Sequence, residues 1–477
     1  MRTNEQLRGL AGKEFTRRDM LRGVFHLIGA SLFATSSEAL GQRRSNPKRR
    51  KASRKKPARR KSRARKTSKI AGPIPGEALY RDVIAYYNLG EHRTATEGDL
   101  RTSDWIASQL RAAGLKTTFQ PFTLPQFFPR ECSLTLSSRK LRGFPLWPVR
   151  STGATRIEAP IAELRPNSGT GSLTGRIALV RFPFDARATV HSRSGHAEVI
   201  ARTAAAGALA VVAVTEGPTG EIIALNSRAD GEPYPLPIML VAGRDEPALV
   251  EAAATGSRVS FSLDGRNEAA ATAKNVVGRL DRGKELIVVS TPQSGWFRCA
   301  GERGPGIALF LGLARWARRR RSPTSFLFVS TSGHEFGGLG MQSFQRDIAP
   351  PPERVICWLH LGAGISTWMW EQSTTGMRKL RQVDSNRFLM CTTDLVPLLT
   401  DTFSALPGLT PVTGRAVGEF EIMLRRGYRV FGIASAHAFH HTPADSPETT
   451  SPELLEPVAT ALARTLERIE SKDATRG

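Results

Sequence analysis

Cysteine is scarce in this chain. There are four in 477 residues, Cys132, Cys299, Cys357 and Cys391, and no two form a Cys-x-x-Cys pair. Their scatter carries no pattern of pairing, and no sequence feature sets a base beside Cys299 to make it a nucleophile. Aromatic residues are few, at 7%. No stretch reaches the roughly 20 apolar residues that a membrane-crossing helix takes, and no internal repeat is evident. Acidic residues are missing altogether from one tract: Arg43 to Lys69 holds 16 Lys or Arg and no Asp or Glu. No aromatic residue interrupts this tract, so it lacks rings to stack on bases, and specific nucleic-acid recognition is not expected of it.

That tract supplies 16 of the net +25 charges and leaves +9 for everything else. Its Lys/Arg/Ser/Ala/Pro composition cannot bury a core, so residues 43–73 read as a disordered linker. Two roles stay open for it. It is either a solvated spacer or a tether to an anionic envelope surface, where each basic residue is worth about 1 kcal/mol. Upstream, Thr16-Arg17-Arg18-Asp19-Met20-Leu21-Arg22 precedes a short apolar segment from Gly23 to Thr35, and small residues follow at Ser37, Ala39 and Gly41. This resembles a twin-arginine export signal over 1–42, which implies a periplasmic or cell-surface location.

The length allows more than one domain, since single cores stop growing near roughly 250–300 residues, and 40% hydrophobic content is enough to fill them. Amphipathic spacing predicts a helix from Arg101 to Ala113, with Gly114 in the stop position. From about 130 to 270 the chain turns to short apolar runs rich in Gly and Pro. There, Thr174–Arg181 reads as a turn and a strand, further strands are predicted at Ala208–Val214 and Leu236–Val241, and a helix at Ala201–Gly207. From Ala273 onward strands alternate with helices: Leu286–Ser290, Phe326–Ser330, Val355–Leu359 and Val430–Ala434 against Gly306–Arg318 and Glu453–Ile469. Such alternation implies a mostly parallel sheet covered on both faces, with a site at the strand ends.

Two segments carry chemistry. Gly333-His334-Glu335-Phe336-Gly337-Gly338-Leu339-Gly340 follows a buried-strand run, and Phe439-His440-His441-Thr442-Pro443-Ala444-Asp445 comes about a hundred residues later. Together they resemble segments of the co-catalytic zinc exopeptidases, the family of bacterial aminopeptidases, glutamate carboxypeptidases, glutaminyl cyclases and the transferrin receptor. The resemblance runs over roughly 75–470. It implies an α/β fold, a mostly parallel sheet flanked by helices, with a β-rich protease-associated domain inserted. The boundaries it suggests are 74–128 and 272–472 for the two parts of the catalytic-like domain and 129–271 for the insert.

The family's metal site needs a His and a carboxylate on each of two ions, one bridging carboxylate, and a free carboxylate as base. Matched position by position, this chain has lost part of that set. Thr291 stands for the first-metal His and Gln293 for its orienting Asp, and neither is a zinc ligand. Glu302 takes the bridging position, for which a surface Glu paired with Arg303 is the plain alternative. His334 stands for the base and Glu335 keeps a metal-binding Glu. His360 replaces an Asp ligand, and His441 is retained with His437 and His440 beside it. Five of the nine histidines thus fall in or next to these segments. The resemblance therefore implies a single zinc held by Glu302, Glu335 and His441, helped by His360, with His334 as base. The substrate would be a peptide or small amide. The competing reading is a pseudo-peptidase without metal, an envelope binding or scaffold protein that keeps only the fold.

Overall fold

The computed structural model describes residues 74–473 apart from 191–194 and 228–230. The expected export signal and basic linker over 1–73 lie outside the described residues. The chain enters through two helices, α1 (Gly76–Asn88) and α2 (Glu97–Ala112), and runs into a long strand, β1 (Lys116–Leu136). A lobe follows with strands β2 (Ile157–Glu163), β3 (Ile177–Phe182), β4 (Ala210–Thr215) and β5 (Ile238–Ala242). Two helices, His196–Ala205 and Glu246–Thr255, lie in the same lobe. A second long strand, β6 (Arg258–Leu280), brings the chain back. Then come β7 (Leu286–Pro292), α3 (Gly304–Arg319), β8 (Ser325–Thr331) and α4 (Leu339–Asp347). The last elements are β9 (Val355–Leu361), β10 (Arg387–Cys391), β11 (Val430–Ser435) and α5 (Pro452–Asp473).

Strands β7, β8, β9 and β11 are parallel, in the order β11-β9-β7-β8, and antiparallel β10 and β6 flank them. Successive side chains on a strand face opposite ways, so a strand covered on both faces must be apolar throughout. Ile287, Val289, Phe326, Phe328, Leu359 and Leu361 join α1, α3 and α5 in one core. Their neighbours Val288, Leu327, Val329 and Trp358 pack on Met341 and Phe344 of α4 and on Phe420 and Met423. The predicted strands and helices of this half match the observed elements to within a few residues at each end.

The sheet continues into the lobe through β6, which pairs with β2, and through parallel β3, β4 and β5. The two halves are joined by the β1–β6 ribbon, antiparallel from Lys116–Arg279 to Leu136–Val259. The boundaries expected at 128/129 and 271/272 both fall inside these two strands. The lobe has its own apolar core around Val180, Phe182, Val211, Ala213 and Leu240. No helix among the described residues is long and apolar enough to cross a membrane.

Candidate metal centre

The parallel strands all end on one side, and three of the loops beyond them converge with the end of β9, which is where open α/β sheets bind ligands. The loop after β7 leads through Glu302 into α3. The loop after β8 carries His334 and Glu335, β9 carries His360 near its end, and the loop after β11 carries His437 to His441.

Glu302 owes its place to Asp445, whose carboxylate accepts the backbone N–H of Gly301 (2.8 Å) and of Glu302 (2.9 Å). A charged acceptor on two adjacent amides just before a helix is a strong anchor. Only glycine fits at 301, because a Cβ there would run into Thr449, Asp445 and His437. The Glu302 side chain is fully buried and faces inward. Burial opposes its ionisation, but the imidazole of His441 and the guanidinium of Arg303 outweigh that and hold its carboxyl well below the usual range.

His441 sits on strained backbone, φ +60°, and its Nδ1 lies 2.9 Å from the carbonyl of Ala224 in the lobe. A carbonyl only accepts, so Nδ1 carries a hydrogen and Nε2 is the nitrogen turned to the site. Nε2 lies 3.4 Å from Oε1 of Glu302, and neither atom has a hydrogen-bond partner. His440 stacks on His441 with ring centroids 4.1 Å apart, and its unpartnered Nδ1 is 3.9 Å from Oε2 of Glu302. Burial first, and then the neighbouring His441, hold His440 well below its ordinary pKa, so its imidazole is neutral, the form that binds metal. Among the described residues, Glu302, His440 and His441 are the three whose donor atoms all lie within 4.8 Å of one another.

Glu335 and His360, two of the expected ligands, are turned to other partners. Oε2 of Glu335 accepts from Ser294 Oγ (2.7 Å) and Thr94 Oγ1 (3.2 Å), and Oε1 accepts from Arg303 Nη2 (3.3 Å). Arg303 is not the surface partner of Glu302 that its sequence context allowed. It is 1% exposed, and the same Nη2 lies 3.1 Å from Oε1 of Glu302. This last contact is an ion pair without hydrogen-bond alignment, since Oε1 has no aligned donor. His360 bonds Ser290 Oγ at 2.9 Å, and burial lowers its pKa to about 4.

His334 pairs through Nδ1 with Oε1 of Glu419 at 3.3 Å, and Thr331 Oγ1 donates to both oxygens of the same carboxylate. Burial opposes ionisation of Glu419, yet its bonds to His334 and Thr331 outweigh that and lower its pKa overall. Glu419 escaped the sequence reading because it lies 85 residues from its partner and in no recognisable motif. Thr291 donates to the carbonyl of Leu361 (2.8 Å). Gln293 donates to Ser103 and Asp99 and accepts from Ser330, so both side chains are satisfied within the protein.

The lobe closes over this arrangement. The N–H of Ala224 donates to the carbonyl of His441 (2.9 Å), and that of Ser227 to the carbonyl of Glu335 (3.0 Å). Trp296 Nε1 donates to Asn226 Oδ1 at 2.9 Å. The side chains of His440 and His334, 12% and 16% exposed, are the site groups nearest to solvent.

No family model and no curated sequence matches the chain. Solved structures do. A zinc aminopeptidase from Bacillus subtilis superposes with a TM-score of 0.65 at 18% identity, over 83% of this chain and 95% of that one. The chain has the fold of the zinc aminopeptidases. An aminopeptidase from Aneurinibacillus sp. strain AM-1 shares the fold at a TM-score of 0.57 and 16% identity, covering 84% and 95% of the two chains. A peptidase precursor from Shewanella amazonensis does so at 0.65 and 16%, covering 83% and 96%. Because these coverages take in the lobe as well as the central sheet, the aminopeptidase fold here extends well beyond the four parallel strands.

Proposed function

We propose that this chain is a hydrolase of peptide or amide bonds that works with a single metal ion, zinc being the ion its donors suit, held by Glu302, His440 and His441. The observation that carries this reading is three donor atoms without a hydrogen-bond partner around one point: Nε2 of His441 and Oε1 of Glu302, 3.4 Å apart, with His440 Nδ1 beside them. A proton on His441 would answer one pair and leave His440 without a partner, whereas one cation answers all three. Two imidazoles and a carboxylate are ordinary zinc donors and leave a coordination position open. Zinc, when bound, supplies a Lewis acid for the amide carbonyl and makes a water more acidic.

The chain's own groups do the rest. The Ala224 carbonyl fixes the tautomer of His441, as partners of metal-binding histidines commonly do. Asp445 holds Glu302 in register. Glu419 accepts from Nδ1 of His334 and leaves Nε2 as the base that takes a proton from the attacking water. The peptidase neighbours support a peptide or small amide as substrate. Export through the twin-arginine signal, tethering through 43–69 and a protease-associated character for the lobe belong to the same proposal and rest on the sequence.

The test is elemental analysis of the purified protein together with a peptide and amide substrate screen. One zinc per chain and turnover are expected. Glu302→Gln should lose both. His334→Ala should keep the zinc and lower turnover by about 10²–10⁴-fold. A chain that holds no zinc, manganese or cobalt and cleaves nothing sinks the hydrolase. The binding or scaffold reading then takes its place, and the closure of residues 222–227 over the site favours it.

A further inference from the structure

We propose that Arg303 is a permanent cation of this site, standing between Glu302 and Glu335 where a divalent ion would otherwise sit. Its role rests on the hydrolase reading only in taking the site as one built for cations. Both carboxylates are fully buried, and Oε1 of each lies within 3.3 Å of one nitrogen, Nη2 of Arg303, which is itself 1% exposed. Two carboxylates taken out of water need a cation between them, because a buried charge left unpaired loses its hydration with nothing in exchange.

The guanidinium is anchored rather than merely nearby. Its Nε donates to the carbonyl of Ser294 at 2.8 Å, and the hydroxyl of the same Ser294 donates to Glu335 at 2.7 Å. Its Nη1 has no partner at all. The fold therefore uses the group's charge at Nη2 and leaves part of its donor capacity unused. Nε2 of His441, 3.4 Å from Oε1 of Glu302, belongs to the ion held with His440. Without the guanidinium, the two Oε1 atoms of Glu302 and Glu335 would face each other across its place, and carboxylate oxygens are donors that a divalent ion takes after modest side-chain shifts. With it, Glu335 is committed to Arg303, and the site has room for one ion at most, on Glu302, His440 and His441.

The experiment counts zinc per chain after equilibrium dialysis, for the unmutated protein, Arg303→Met, Arg303→Lys and the double variant Arg303→Met/Glu335→Gln. Arg303→Met should hold one zinc more than the unmutated chain. Arg303→Lys, which keeps the charge, should add none, and neither should the double variant, which lacks one of the two carboxylates. An unmutated chain with no zinc and a variant with one would remove the metal-hydrolase reading and leave this role standing. One zinc in both would do the reverse. Two in the unmutated chain, or an extra ion that survives Glu335→Gln, would also overturn it. Should Arg303→Met fold only when zinc is supplied, the ion has replaced the guanidinium and the proposal holds. If it stays unfolded at every zinc concentration, the proposal fails, because an ion that fitted would stabilise the fold.

Discussion

Asp99 shows what burial does to a single side chain. It accepts from the N–H of Ala95 (2.9 Å), from Ser332 Oγ (2.7 Å) and from Gln293 Nε2 (3.3 Å), yet burial raises its pKa from 3.8 to about 7. Between those two values the unfolded chain has released this proton while the folded chain still holds it. Stability from this group is therefore full below pH 4, falls as pH rises and is lost above about 7. Asp99→Asn should remove that decline, to be checked by urea unfolding at a series of pH values. Arg303, Glu419 and His440 make the same point for the site. Each was present in the sequence, but their roles follow from partners 32, 85 and 138 positions away, at Glu335, His334 and Glu302.

At the scale of elements, the turn after β8 joins the site to the core. Gly340, at the start of α4, lies against the carbonyl of Ser332 and the amide of Asn275, and an added Cβ would collide with both. Asn275 is itself held by bonds to Gln120 Oε1 and the carbonyl of Gly340, so it has no room to retreat. Gly340→Ala should destabilise the protein by about 1–3 kcal/mol, read from the urea midpoint at unchanged slope. Asp445→Ala removes the acceptor from two amides ahead of α3 and from Thr449 Oγ1, for a loss of about 1–3 kcal/mol. It should also weaken zinc binding, measured by competition with a chelator, because Glu302 loses its register. The strands of the central sheet were legible because both their faces are buried, which makes them unbroken apolar runs. The hairpin formed by Trp368–Ser373 and Gly376–Val383 was not, since it mixes aromatic and basic residues with no clean period.

For the whole molecule, the described chain closes its cores without the basic tract. Residues 43–69 contain no Val, Ile, Leu, Met, Phe, Trp or Tyr, so they bring no large apolar side chain to any core. Deleting them should leave the Tm unchanged. If the tether is real, the deletion should also abolish adsorption to anionic vesicles, and that adsorption should weaken with salt in the full chain. Adsorption that persists after deletion and ignores salt would exclude the tether. The lobe is a different matter. Through Ala224, Asn226 and Ser227 it contributes backbone and side-chain bonds to the loops of the site.

The sequence by itself determined the alternation of strands and helices, the placing of the site loops and the absence of a credible ligand at Thr291 and Gln293. These are local properties: hydrophobic periodicity and the chemistry of a side chain need no partner to be read. The tertiary structure alone decided which of the acids and histidines meet. It set His440 beside Glu302, gave Glu335 to Arg303 and tied His441 to a carbonyl of the lobe. Such pairings rest on charges and lone pairs brought within about 4 Å by long-range packing, and no spacing along the chain encodes that distance.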